Sequence, residues 1–218
     1  MSIETFEKLP DEKKELIVST GIREFSSRSY REVSTDELTR SCGISKGILF
    51  HYFGSKKNFY LYCLECALKK LVTEEEPVTC EGGEDFYGIV FGEMEKKISL
   101  CLYHPHESLM VNMASRDPSE EISECRSEVM KKYSGRIREE SLLCVERALS
   151  ALELKEPQKK RLTSEGLFIY INAVVNRFLS LYQHEPEKFF AEAERIKNEM
   201  RDYLDLMLFG LCERGEYK

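Results

Sequence analysis

Tryptophan is absent from the 218-residue chain, and glycine and proline are scarce at 12 and 6. That scarcity, with 12 Phe and 11 Tyr available for burial, excludes collagen-like, low-complexity and disordered classes. Long apolar runs are also missing. The longest uncharged one, residues 166–176, is 11 residues with two Asn, against the roughly 20 needed to cross a bilayer. The opening MSIETFEKLPDEKKEL lacks a basic segment followed by an apolar one, so no secretory signal is read and a cytoplasmic location is expected. No Gly-rich phosphate loop, Gly-x-Ser-x-Gly elbow or His-Glu-x-x-His occurs, which leaves an enzyme reading without a nucleophile and its base. Sustained strand alternation and internal repeats are lacking too, and an all-α fold is expected.

What is present is a chain large enough for a real core, with 32 basic and 39 acidic side chains and 42% apolar residues. Its eight cysteines, with no export signal, predict reduced and mostly buried thiols rather than disulfides. Charge is uneven: Leu38 to Tyr60 holds Arg40, Lys46, Lys56 and Lys57 and no acid, a candidate footprint for a polyanion. On charge alone a solvated face is the better explanation, and geometry must decide.

Helix grammar is clearest in the same region. Leu16, Ile17, Ile22 and Phe25 at helical spacing, after Pro10, Asp11 and Glu12, predict a helix over 11–26. Ser34-Thr35-Asp36-Glu37 reads as a capping box opening a second helix. Gly43 ends it, Ser45 caps a third from Lys46 to about Tyr52, and Gly54-Ser55 closes that and opens a fourth over 56–73. Two short capped helices around a tight turn have the spacing of a helix-turn-helix, with Leu38, Ile44, Ile48 and Leu49 as apolar pegs. Lys46, Gly47, Phe50 and His51 are then left outward. A plain helical hairpin inside a larger bundle is the alternative.

The acidic, Gly-containing stretch after residue 73 marks a boundary between a helix-turn-helix domain at 1–60, with 56–73 as connector, and an all-α domain at 74–218. Helices are expected near 85–103, 107–115, 119–150 with a possible break, 157–184 and 187–213. The last two are apolar over much of their circumference. Phe168, Val175, Phe178 and Tyr182 with Ile196, Met200, Tyr203 and Met207 therefore predict a two-fold homodimer interface. Cys63-x-x-Cys66 and His104-Pro105-His106 lack the partners of a metal site, and core thiols and a helix corner are the expected roles. No metal or cofactor is expected.

Leu16 to Tyr60, and above all GISKGILFHYFGSKKNFY, resembles the DNA-binding domain of the TetR/AcrR family of bacterial transcriptional regulators. The resemblance is carried by Ile17-Val18, Phe25, Tyr30, Glu37-Leu38, Gly43-Ile44-Ser45-Lys46-Gly47, Leu49, Tyr52-Phe53 and Lys56. Thr20, Gly21, Ser29, Thr39 and Cys42 depart from the usual small residues, and Phe50 stands where the family often has a phosphate-binding Tyr. The resemblance implies a DNA-binding regulator, in the usual arrangement a repressor of a palindromic operator, released by a small effector. Lys56 resembles a phosphate clamp, with Ser34, Thr35, His51 and Tyr52 as further phosphate donors. Ser45 and Lys46 open the recognition helix, Lys46 reaching a base, with Gly47 allowing close approach and Phe50 packing on a thymine methyl or sugar. An apolar or amphipathic effector would lie among Phe91, Met94, Ile98, Met110, Met113, Phe168 and Ile171, oriented by Asn172 and Asn176. The rival class is a helical ligand-binding or protein-interaction dimer whose helix-turn-helix reads no DNA.

Overall fold

The structure, a computed structural model, describes residues 3–73, 85–152, 160–182, 188 and 191–209, less some side chains within the helices. Among these residues the chain forms ten α-helices and no strand. They are α1 (Ile3–Glu7), α2 (Asp11–Ser27), α3 (Thr35–Ser41), α4 (Lys46–Phe53), α5 (Lys56–Thr73), α6 (Phe86–Tyr103), α7 (Pro105–Arg116), α8 (Glu120–Ser150), α9 (Lys160–Tyr182) and α10 (Ala193–Phe209). No helix among the described residues is long and apolar enough to cross a membrane.

The chain divides into two compact units: residues 1–76 with 103–137, and 77–102 with 138–218. In the first unit α2 packs on α5 and α7, so α7, which the sequence reading allots to the second domain, is grouped with the N-terminal helices. The reason is its apolar stripe. Met110 and Ala114 are buried in the core that also holds Ile17, Phe25, Phe59 and Leu64. Helix α8 runs for 31 residues without the break that the sequence pattern allows.

Proline sets two corners. Pro105 occupies the first turn of α7, where its missing N–H costs nothing. Pro118 drives the preceding Asp117 to an extended conformation (φ −63°, ψ 121°) and ends α7. From that corner the buried Asp117 carboxylate accepts hydrogen bonds from the Ser119 amide (2.8 Å) and, across the unit, the Tyr30 amide (2.6 Å).

Helix α1 was not expected from the sequence. Its anchor is Phe6, fully buried, with ring centroids 5.6 Å from Tyr52, 4.8 Å from Phe53 and 5.5 Å from Tyr62. Burying a phenylalanine is worth about 2 kcal/mol, and it is the main apolar contribution of this short helix, which packs against α4. Close approach elsewhere depends on glycine: a Cβ at Gly21 of α2 would lie 2.6 Å from Phe59 Cζ and 2.7 Å from Cys63 Sγ of α5.

In the second unit α6, the later part of α8, α9 and α10 share a core of Phe86, Met94, Val145, Leu149, Leu167 and Leu204 with their neighbours. Helix α10 turns one stripe inward at i, i+4 and i+8. Ile196, Met200 and Leu204 are fully buried in their own unit, so Ile196 and Met200 do not offer the partner surface read from the sequence. Tyr87 donates to the Asp205 carboxylate, and the Arg201 guanidinium lies 4.4 Å from the Tyr87 ring centre.

Candidate nucleic-acid interface

The turn between α3 and α4 is built by backbone bonds that the glycine permits. Gly43 takes φ +64°, its N–H donates to Arg40 O (3.1 Å), and the Ile44 N–H donates to Thr39 O (3.0 Å). This pair of bonds is a Schellman closure. Ser45 follows at once as cap, its Oγ accepting from the Ile48 amide at 3.2 Å. Gly54, with φ +75°, closes α4 through a bond to Phe50 O, and Ser55 Oγ accepts from the Asn58 amide at 3.1 Å.

The expected capping box at Ser34 does not form. Ser34 has extended geometry but makes no side-chain cap bond, and the Glu37 carboxylate, the other half of the box, binds Arg28, whose guanidinium also binds Glu24. Helix α3 is held by its core contacts, with Leu38 and Thr39 buried and Thr39 Oγ1 donating to Thr35 O (3.0 Å). Ser34 is consequently exposed and Thr35 half-buried at the N-terminal end of α3.

Helix α4 turns Leu49 and Phe53 into the core and leaves Ser45, Lys46, Gly47, Phe50 and His51 exposed, as expected. Ile48 differs. The spacing made it a peg, yet it is 40% exposed, and Leu38, Leu49 and a half-buried Ile44 hold the pair without it. Tyr52 is half-buried, edge-on to Phe6. The one long donor at the start of α4, Lys46, bonds Asp36 Oδ1 of α3 at 3.0 Å. Both partners are exposed, so the pair is worth at most about 1 kcal/mol and is exchangeable.

Lys56 sits differently from the expected phosphate clamp. Its half-buried ammonium donates to Val33 O (2.8 Å) and stands 4.3 Å above the Tyr30 ring, and burial lowers its pKa. It therefore ties α5 to the loop that leads into α3. The Tyr30 amide in that loop is the group held by Asp117. Burial pushes the Asp117 carboxyl up, but the nearby Ser119 hydroxyl, the Tyr30 and Ser119 amides and Arg126 outweigh it and leave the pKa below the ordinary value. Asp117 and Phe6 both position this domain, and neither carries a local sequence signal.

Other candidates separate. Cys63 is fully buried and Cys66 half-buried, with both thiols pushed up by burial. Cys42, beside Ile17 O, is pushed up to about 11 by burial. No group of three or more His, Cys, Asp or Glu among the described residues is placed to hold a metal ion.

The expected effector residues are only partly together. A cavity of about 20 Å³ lies between α6, α8 and α9, lined by Met94, Ile171 and Asn172 from the expected set and by Val90, Glu93, Lys97, Ser141, Cys144 and Val145. It has room for about one water. Phe91 and Ile98 are core residues of the same unit, and Phe168 lies half-buried with Arg138 5.2 Å from its ring. Met110 and Met113 belong to α7 in the first unit, where Met110 is core, and do not line this cavity. The side chains of Asn176, Val175, Phe178 and Tyr182 lie outside the described residues. The cavity is also more polar than expected: Lys97 Nζ stands 3.6 Å from Glu93 and donates to Ser141 Oγ (3.1 Å).

The short α3 and the Ser45-capped α4 around a Schellman turn, with an outward α4, define a helix-turn-helix domain. Residues 17–63, about a fifth of the chain, are similar to the bacterial regulatory proteins of the tetR family. Over 62 residues it is 36% identical to YuxN of Bacillus subtilis (strain 168), described as an uncharacterized HTH-type transcriptional regulator. Over 70 residues it is 34% identical to YerO of the same organism, described likewise. These matches cover 28% and 30% of this chain, and the chain spans 21% and 24% of those relatives' lengths. The fold is shared more widely. A TetR family transcriptional regulator from Chloroflexus aurantiacus J-10-FL matches with a TM-score of 0.64 at 19% identity, over 97% of this chain and 98% of that one. A TetR-like transcriptional regulator from Rhodococcus sp. RHA1 gives 0.61 at 16% identity, over 94% and 100%.

Proposed function

We propose that the chain is a cytoplasmic, ligand-responsive transcriptional regulator that binds a palindromic DNA operator as a homodimer and acts as a repressor released by a small effector. The observation that carries this reading is α4: a recognition helix capped by Ser45, fixed by Leu49 and Phe53, and otherwise turned outward. Ser34, Thr35, His51 and Tyr52 meet phosphates at the groove edge, and Lys46 exchanges Asp36 for a base or phosphate. Lys56 serves the interface from behind, by holding the loop before α3. Functionally the division remains near residue 74, the earlier helices reading DNA and the later ones taking effector and partner.

The partner surface is the outer side of α9 and α10. Ile169 and Leu181 of α9 are 67% and 53% exposed, and Tyr203, Leu206 and Phe209 of α10 are 39%, 46% and 77% exposed, with Phe168 and Met207 half-buried on the same helices. Large apolar side chains left outward on a helical pair favour two-fold packing with a second copy. The effector binds where the small cavity of Met94, Ile171 and Asn172 widens, since at about 20 Å³ it holds only about one water, and its lining by Lys97, Glu93 and Ser141 favours an amphipathic molecule over a purely apolar one.

Selection of binding sites from a random duplex pool with purified protein tests the reading. A two-fold symmetric consensus with half-sites a helical turn or more apart is expected. A pool without enrichment, from protein freed of bound small molecules by denaturation and refolding, would contradict it.

A further inference from the structure

We propose that Ile48 and Phe50 read thymine methyl groups in the major groove, on the two flanks of a close helix-to-groove approach at Gly47. The inference rests on the proposed DNA-binding function and adds what the DNA site must carry.

Helical geometry sets the arrangement. At about 100° per residue, burial of Leu49 and Phe53 centres the outer face of α4 on Gly47 and His51. Ile48 falls on one flank of that face and Phe50 on the other, 40% and 36% exposed. The centre is kept low by Gly47. Packing does not require glycine there, since a Cβ would meet only Ser45 Oγ at 3.8 Å, and glycine costs a helix about 1 kcal/mol relative to alanine. The missing side chain instead lets the helix backbone approach the base edges and brings both flanks into reach.

The polar groups beside this face lie off its centre. Ser45 Oγ holds the Ile48 amide, and the exchangeable Lys46 ammonium, about 120° round the helix from the Gly47–His51 centre, rests on Asp36 in the free protein. His51 is the polar side chain at the centre, and the two large outward groups are hydrocarbon. Among the four bases only thymine presents a methyl group to the major groove, so the complement of an apolar flank there is the thymine C5 methyl. Two such flanks favour T·A pairs at two positions of each half-site.

Deoxyuridine pairs as thymidine does and lacks only that methyl, so the test leaves the protein unchanged. With the full chain and its selected duplex, thymines are replaced one at a time by deoxyuridine. Affinity is expected to fall about fourfold at two positions per half-site, the value of burying one methyl-sized group. Ile48→Ala is expected to erase the loss at one of these positions and Phe50→Ala at the other, while Ile48→Val keeps it. Both side chains are exposed, and unchanged thermal melting of the variants separates recognition from folding. Full affinity for every uracil-substituted duplex, or uracil losses that persist in both alanine variants, would overturn the proposal and leave DNA binding standing. Absence of any selected duplex would overturn both together.

Discussion

Removing the Asp117 carboxylate tests whether the α7–α8 corner holds the helix-turn-helix in place. The group is buried and accepts from two backbone amides, Tyr30 at 2.6 Å and Ser119 at 2.8 Å, while Arg126 donates to the Asp117 carbonyl. Asp117→Ala leaves two buried donors without acceptors, at about 1–3 kcal/mol each, or about 4 kcal/mol at mid-range. For a chain of this size that is a Tm fall of roughly 8–16 °C. Asp117→Asn keeps the shape and one acceptor oxygen, and about half that loss is expected. Calorimetry or thermal melting followed by circular dichroism at pH 7 measures both. The pH dependence has a definite sign. The folded pKa is depressed, so the contribution is complete above the unfolded value of about 3.9 and is lost as pH falls through the lower folded value. The stability gap between wild type and Asp117→Asn should stay constant from pH 7 to 5 and narrow below about pH 4. A change within about 0.5 kcal/mol for Asp117→Ala, the scale of a surface substitution, would refute the reasoning.

Gly21→Ala gains about 1 kcal/mol of helix propensity but sets a Cβ 2.6 Å from Phe59 and 2.7 Å from Cys63, so a net loss of about 1–2 kcal/mol in urea unfolding is expected. A more stable variant would mean that α2 and α5 separate at little cost. Leu206→Glu together with Ile169→Glu, both at exposed positions, should convert dimer to monomer in sedimentation without lowering helix content. A dimer that survives both changes would place the partner surface elsewhere.

Legibility followed the range of the interactions. Ends of α3, α4 and α5 are local events, decided by Gly43, Ser45, Gly54 and Ser55 within a few residues of the bonds they make, and the sequence showed them. Non-local contacts stayed hidden. Phe6 finds Tyr52 and Tyr62 far along the chain, and α7 joins the first unit because Met110 fits its core. Ser34 and Glu37 matched a local pattern that does not form, and Glu37 binds Arg28 instead.

The site followed the same rule. Exposure of Lys46, Gly47, Phe50 and His51 came from helical spacing, whereas spacing alone assigned Ile48 to the core although it is 40% exposed. In α10 an apolar count could not separate the inward stripe of Ile196, Met200 and Leu204 from outward Tyr203 and Leu206. Glu93 and Lys97 read as ordinary solvent-facing charges until α8 brings Ser141 to Lys97.

The central claim, that α3 and α4 present a DNA-reading surface, is tested most directly by the salt dependence of affinity for the selected duplex. With six or more phosphates contacted by the dimer, log K should fall against log salt with a slope of about −5 or steeper, roughly a thousandfold between about 50 and 200 mM. An affinity that changes by less than about threefold over that range would contradict phosphate-driven binding and favour a protein-interaction role for the helix-turn-helix.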